Sequence, residues 1–279
     1  MGSCGEELPM VDVSKESVRD FWDAASCGEI YATGVDERQR LETHSRVRYQ
    51  LEPYLRPFAR FADGHHRAVL EVGVGMGADH VEWAKSAPSR LAGVDLTARA
   101  AAWTTDRLCH NGFEPHLAVG DAEHLPFPND SFDIVYSWGV LHHSPDTQTA
   151  FHEVYRVLRP GGIARVMIYH RRSIVAGLLW LRYALLAGQP RRSLDDILAS
   201  HLESPGTKAY TVEGARYLAR AFTSVTIKTQ LSLGDLLEGG VGQQHDGRLL
   251  RTAKRIWPRP LIRRWLSGCG LFLLIEATK

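Results

Sequence analysis

The sequence predicts an α/β fold: a doubly wound, mostly parallel sheet of seven strands, preceded by a helical cap and interrupted by two insertions. Three observations lead there. From residue 68 onward, short apolar runs that end in Gly or Asp alternate with helix-like stretches, the pattern of strands buried on both faces and joined by helical crossovers. The 279 residues, 44% apolar and 23% charged, suit one large domain rather than a disordered or fibrous chain. No internal repeat or low-complexity tract competes with that reading.

Taken in order, residues 14–26 and 41–62 carry helical spacing; in the second, Leu51, Tyr54, Leu55, Phe58 and Phe61 recur at three and four residues. A Gly-containing turn, Cys27 to Gly34, separates them. Residues 68–72, 91–95, 116–119, 132–136 and 163–168 read as five buried strands. The alternation then breaks at an insertion, 171–209, with an apolar helix near 174–187. A helix at 212–221 and a strand at 225–231 follow, then a second insertion, 233–268, and a last strand at 271–277. The expected organisation is a cap at 1–67, a ligand-binding core at 68–170, and 171–279 completing the same sheet, all within a single structural domain.

Charge is balanced overall, with 33 Lys+Arg against 32 Asp+Glu, which argues against a nucleic-acid binder by bulk charge. The balance is local in origin. Residues 159–192 and 248–264 each hold seven basic side chains and no acid, which leaves the remaining chain acidic. Cys4, Cys27, Cys109 and Cys269 lie far apart without metal-ligand spacing, so neither a zinc site nor a disulfide framework is expected, and a reducing cytoplasm fits. The N-terminus lacks the basic and apolar regions of a signal peptide. The longest apolar run, Ile174 to Gly188, contains Arg182 and is too short to span a bilayer.

The chemistry concentrates in four segments. Glu71-Val72-Gly73-Val74-Gly75-Met76-Gly77 follows a strand and opens a helix, where glycines admit positive φ and the helix start presents free N–H groups. Its third glycine comes one residue too early for a dinucleotide fingerprint. Asp95 ends the second strand, where a carboxylate accepts from two ribose hydroxyls. Gly120 to Phe127 and Leu141-His142-His143 form the third segment, and Leu158-Arg159-Pro160-Gly161-Gly162, a helix stop and turn, is the fourth.

These motifs, in this order over residues 68–170, resemble the class I S-adenosylmethionine-dependent methyltransferases, of the small-molecule type related to quinone and sugar methyltransferases. The resemblance implies a Rossmann-like methyltransferase fold with S-adenosyl-L-methionine as methyl donor, S-adenosyl-L-homocysteine as product and no metal. It implies that Glu71, Gly73, Gly75 and Gly77 line the methionine and ribose side, that Asp95 holds the ribose, and that Leu96 packs on the adenine. Asp121 and the Ala122 backbone would meet the adenine amino group, and Ser137 and Trp138 would lie near the sulfonium.

A sulfonium methyl is already electrophilic, so the protein has mainly to align a nucleophile and exclude water. Where a proton must leave, His142, His143, Tyr169 and His170 are candidate acceptors at the strand ends. The segment Cys27 to Gly34 resembles the entry lid of some family members, which makes Tyr31 a further candidate. Phe21, Trp22, Arg48 and Tyr49 are either lid contacts or packing. Asp133 is expected to be a structural partner, Met76 a gap filler, and Glu82 and Lys85 a solvated face.

Arginines beside large apolar groups in both insertions (Arg171, Arg172, Arg191 and Arg192; Arg248, Arg251, Lys254, Arg255, Arg263 and Arg264 with Trp257, Leu261 and Trp265) suit an amphiphilic or anionic small-molecule acceptor, a lipid-linked substrate or a peripheral membrane contact. A solvated basic face over a homodimer contact fits the same composition. No nucleic acid is expected, because Ser137-Trp138-Gly139-Val140 stands where nucleic-acid methyltransferases carry Asn-Pro-Pro-Tyr or Asp-Pro-Pro-Tyr. A non-methylating use of the same cofactor, such as cyclisation of its aminobutyrate chain, stays open on sequence alone.

Overall fold

Seven strands form one sheet in the order β3-β2-β1-β4-β5-β7-β6. They are β1 (Ala68–Val72), β2 (Arg90–Asp95), β3 (Leu117–Val119), β4 (Phe132–Trp138), β5 (Leu158–Tyr169), β6 (Ser224–Gln230) and β7 (Phe272–Thr278). The first five pair in parallel, whereas β7 runs antiparallel to both β5 and β6. The computed structural model describes residues 14–238 and 254–279.

Period-two alternation sorts the strands onto two faces. Leu70, Val72, Val94, Val135, Leu273 and Ile275 pack on one side with Phe151, Val154 and Leu218. On the other side Val69, Ile134, Tyr136 and Trp138 meet Trp83, Leu55 and Phe272. The helices behind these faces are α4 (Ala78–Lys85), α5 (Ala98–His110), α6 (Thr147–Val157) and α9 (Val212–Leu218), while α1 (Lys15–Ala24), α2 (Glu37–Leu51) and α3 (Leu55–Ala59) form the N-terminal cap. Each fully buried Leu or Val removes enough apolar surface from water to contribute about 2 kcal/mol.

Two helical expectations need correction. The helix foreseen at 41–62 starts earlier, where Asp36 caps it by accepting from Gln39 N at 2.8 Å. It stops at Leu51 because Pro53 pushes Glu52 out of helical geometry, and α3 then turns the chain before ending at Arg60 in the left-handed region. In the first insertion, α7 (Ile174–Trp180) continues through a π turn, Leu181–Leu185, and packs on a helix without sequence signal, α8 (Leu194–His201), through Ala176, Leu179, Ala184, Ile197 and Leu198. The second insertion returns through α10 (Arg259–Trp265), anchored by Trp257 Nε1 donating to Asp235 O at 2.9 Å. Arg248 and Arg251 lie outside the described residues.

Candidate functional site

The order of strand addition reverses between the parallel neighbours β1 and β4, and a cleft opens at the carboxyl ends of these strands, where open α/β sheets bind ligands. It encloses about 1360 Å³ with its open mouth included.

The glycine turn forms its floor. Gly73 has φ 83°, and a Cβ there would sit 2.1 Å from Val140 Cγ2, so the position excludes every other residue. Gly75 has φ 52° with open space where its Cβ would point, leaving backbone exposed to the cleft. Gly77 N-caps α4 without a side-chain cap, so the first N–H groups of that helix are free for a ligand. Asp95 is fixed by Gly75 N at 3.0 Å and by Thr97 N and Oγ1, each at 3.0 Å. Leu96, Asp121 and Ala122 line the same end. From the cap, Lys15 reaches Asp121 Oδ2 at 2.6 Å and Glu123 Oε2 at 2.5 Å.

Behind the turn lies a buried polar network. Asp79 is buried, and Arg48 donates to it twice, from Nε at 3.1 Å and Nη2 at 2.7 Å. Tyr49 and Tyr136 hydroxyls donate to it at 2.8 and 2.9 Å. Burial pushes its carboxyl upward, but the Arg48 charge and these hydrogen bonds outweigh burial and hold it below the usual range. Glu71 faces His80 Nδ1 at 2.9 Å, and burial raises the acid well above the usual carboxylate range while lowering His80 to about 3.

The deeper end of the cleft is aromatic and acidic. Trp138 lies against Phe272 with centroids 5.9 Å apart, and Phe272 stacks on Tyr169 at 5.9 Å and 17°. Tyr169 donates to Glu203 Oε2 at 2.6 Å, and the same oxygen stands 3.3 Å from His143 Nε2. Ser204 Oγ at 2.9 Å and Thr207 Oγ1 at 3.2 Å hold His143 Nδ1, which leaves Nε2 without a hydrogen-bond partner. Burial pushes Glu52 up to about 7, opposed by Arg48 and by a hydrogen bond from Trp138. Cys27 and Trp22 close this end from the cap.

Of the residues singled out in the sequence, Glu71, Gly73, Gly75, Gly77, Asp95, Leu96, Asp121, Ala122, Trp138, His143 and Tyr169 line one cleft. Ser137, His142, His170 and Tyr31 do not. Tyr136 and Trp138 share one face of β4, so Ser137 points to the other and donates to Val72 O at 2.9 Å. A 3₁₀ turn at Leu141–His143 rotates successive side chains apart, and His142 ends fully buried with both ring nitrogens unpartnered. Alternation likewise separates Tyr169 from His170, whose Nδ1 meets Gly270 O at 3.0 Å. Tyr31 sits in a short 3₁₀ turn outside the cleft.

Asp133 is structural, accepting from Ala68 N at 2.7 Å and from Arg159. Met76 packs with Ala32 and Leu41, and Lys85 pairs with Glu82 at 2.8 Å on the surface. Glu52, Glu203, Thr97 and Phe272 were missed. The two acids sit at a helix end and in an insertion without periodicity, where no local signal marks them.

Among the described residues, no arginine of either insertion lines the cleft. Arg171 pairs with Asp195, Arg263 with Glu238, and Arg192 lies against Ser200. His142, His143 and Glu203 bring ligand-type atoms within 4.8 Å of one another. Two of the three already have protein partners, and what they offer the cleft is a proton acceptor. No helix among the described residues is long and apolar enough to cross a membrane.

Comparison with known proteins agrees with this geometry. Residues 70–166 match the model of a methyltransferase domain. The methyltransferase GfsG of Streptomyces halstedii is 26% identical over 171 residues, 58% of this chain and 61% of that protein. The fatty-acid O-methyltransferase of Mycolicibacterium smegmatis is 36% identical over 122 residues, 43% of each. The chain thus spans less than two thirds of the length of these curated relatives. A chain from the Haloferax volcanii complex of a methyltransferase with the Trm112 methyltransferase activator superposes with a TM-score of 0.60 at 18% identity, over 94% of this chain and 96% of that one, a likeness of fold. Residues 70–166 thus match a methyltransferase domain, and the motifs, the sheet order and these likenesses together support a class I S-adenosylmethionine-dependent methyltransferase.

Proposed function

We propose that the protein transfers the methyl group of S-adenosylmethionine to an oxygen or nitrogen of a small molecule. One observation carries the reading: the open glycine turn with Asp95 and the His143–Glu203 pair face the same cleft. The residues fit the donor. Gly75 leaves room beside bare backbone, Asp95 presents a fixed carboxylate for hydroxyls, and Asp121 and Ala122 stand where an adenine edge would lie.

When bound, the donor supplies an electrophilic methyl group. The chain's own task is to align and desolvate the acceptor. Trp138, Tyr169 and Phe272 wall its apolar body, the cap residue Trp22 covers the acceptor end, and His143 Nε2 takes a departing proton. Glu203 orients the imidazole and stabilises its protonated form.

The arginine-rich insertions lie outside the cleft as described, so they support a surface or partner contact more than recognition of an anionic acceptor. The test is incubation with S-adenosylmethionine and an acceptor panel, read by mass spectrometry. Formation of S-adenosylhomocysteine together with a product heavier by one methylene group supports the reading. An acceptor converted without S-adenosylhomocysteine release contradicts it.

A further inference from the structure

The acceptor end of the cleft has an unusual charge pattern for its size. Arg48, Asp79, Glu52 and Glu203 dominate it, and its one guanidinium, Arg48, is held in a fork on Asp79 while also lying 3.6 Å from Glu52 Oε2. One cation thus serves two acids, Glu203 adds a third, and both Glu52 and Glu203 reach the aromatic wall. Trp138 hydrogen-bonds Glu52, and Tyr169 hydrogen-bonds Glu203.

The other titratable neighbours do not balance them. His44 is buried and kept neutral, its affinity for a proton lowered to about 3 by burial and by Arg107. Cys27 is an exposed residue, and the nearby Glu203 carboxylate raises its thiol's hold on the proton, so it contributes no charge. Lys15, at the opposite end, is engaged by Asp121 and Glu123. Among the described lining residues there is no further Lys or Arg. A carboxylate or phosphate acceptor entering here would meet two acids and no free cation.

A cation would meet complementary groups. Aromatic faces attract ammonium through their quadrupoles, and desolvated carboxylates form strong charge-assisted hydrogen bonds with it. Glu203 raises the hold of Glu52 and Cys27 on their protons, and the single Arg48 charge is shared between Asp79 and Glu52, so acids outnumber cations at this end. His143 Nε2, buried, without a hydrogen-bond partner and 3.3 Å from Glu203 Oε2, completes the set as a proton acceptor.

Resting on the methyl-transfer reading above, we infer that the acceptor is an amine, bound as its ammonium form between the Trp138–Phe272–Tyr169 wall and the Glu52 and Glu203 carboxylates. An ammonium has no lone pair, so one N–H proton passes to His143 Nε2. The freed lone pair then forms the N–CH₃ bond as the S–CH₃ bond breaks, and the sulfur leaves as a neutral thioether. The product amine is again cationic, and the His143 proton returns to solvent when the cleft opens.

The test uses the full chain saturated with S-adenosylhomocysteine and three matched series of aryl-alkyl probes of graded length that end in amine, alcohol or carboxylate, titrated by calorimetry. The amines should bind at least about tenfold more tightly than their alcohol and carboxylate counterparts. Glu203→Gln and Glu52→Gln should each erase most of that preference while the affinity for S-adenosylhomocysteine stays within about twofold. Carboxylates binding as well as amines, no series binding, or an amine preference that survives both substitutions would overturn the inference. The wild-type comparison needs no variant to fold. Failure of S-adenosylhomocysteine itself to bind would instead remove the methyl-transfer reading on which the inference rests.

Discussion

Lys15 Nζ, on the first helix of the cap, lies 2.6 Å from Oδ2 of Asp121 at the cofactor end of the cleft, and 2.5 Å from Glu123 Oε2. Arg99 adds a second tie by pairing with Glu29. The cap is therefore fastened across the cleft by ion pairs that are partly exposed, and such pairs contribute about 0.2 to 1 kcal/mol each. Lys15→Ala should speed amide exchange across residues 15–24 by about two- to fivefold and leave β1 and β4 unchanged. Equal exchange in variant and wild type would mean that apolar packing alone seats the cap.

The glycine turn separates structural from ligand-facing positions. Gly73→Ala places a methyl 2.1 Å from Val140 Cγ2 at φ 83° and should destabilise the protein by about 3 kcal/mol or more in urea unfolding. Gly75→Ala meets nothing within 4 Å, so its stability loss should stay near the 1 to 2 kcal/mol of positive φ alone. Its larger effect should be on cofactor affinity. A reversed order of stability losses would show that the turn is wrongly placed.

Arg48 and Asp79 are coupled. Arg48→Met strands a buried carboxylate and should lower stability by about 3 to 5 kcal/mol. Adding Asp79→Asn should recover part of the loss, because the neutral amide needs no counter-ion. A double variant as unstable as the sum of both single ones would deny the coupling.

His44 and His80 are held neutral in the folded state, each lowered from 6.5 to about 3. The unfolded chain binds protons on both below pH 6.5, so their contribution to stability is complete above that value and declines as pH falls toward 3. At pH 5.5 each should cost about 1.4 kcal/mol relative to neutral pH. Denaturant titrations at both pH values check this, and His80→Gln should flatten the slope. An equally steep acid loss in that variant would assign the effect to other groups.

Much of this site was legible in the sequence because its cofactor half is local. A strand end, a glycine turn and the next strand's carboxylate occur at fixed spacing, so Gly73, Gly75 and Asp95 announce themselves. The acceptor half is assembled from segments far apart. Glu52 follows a cap helix and Glu203 sits in an insertion, and only folding brings them near Tyr169 and His143. Side-chain direction was the other gap. Adjacent candidates such as His142 and His143, or Tyr169 and His170, were indistinguishable in sequence, and a 3₁₀ turn and a strand's alternation admitted one of each pair. The break between α2 and α3 was written in Pro53, but the apolar spacing that runs across it reads as one helix.

The most direct test of the central claim, that this cleft binds S-adenosylmethionine through Asp95, is calorimetric titration of wild type and Asp95→Ala with S-adenosylhomocysteine, with thermal melts to confirm that both are folded. The geometry predicts one site per chain in wild type and a loss of at least about tenfold in the variant, which removes the carboxylate offered to two hydroxyls. Unchanged affinity in a folded Asp95→Ala protein, or no binding by wild type, would contradict the account.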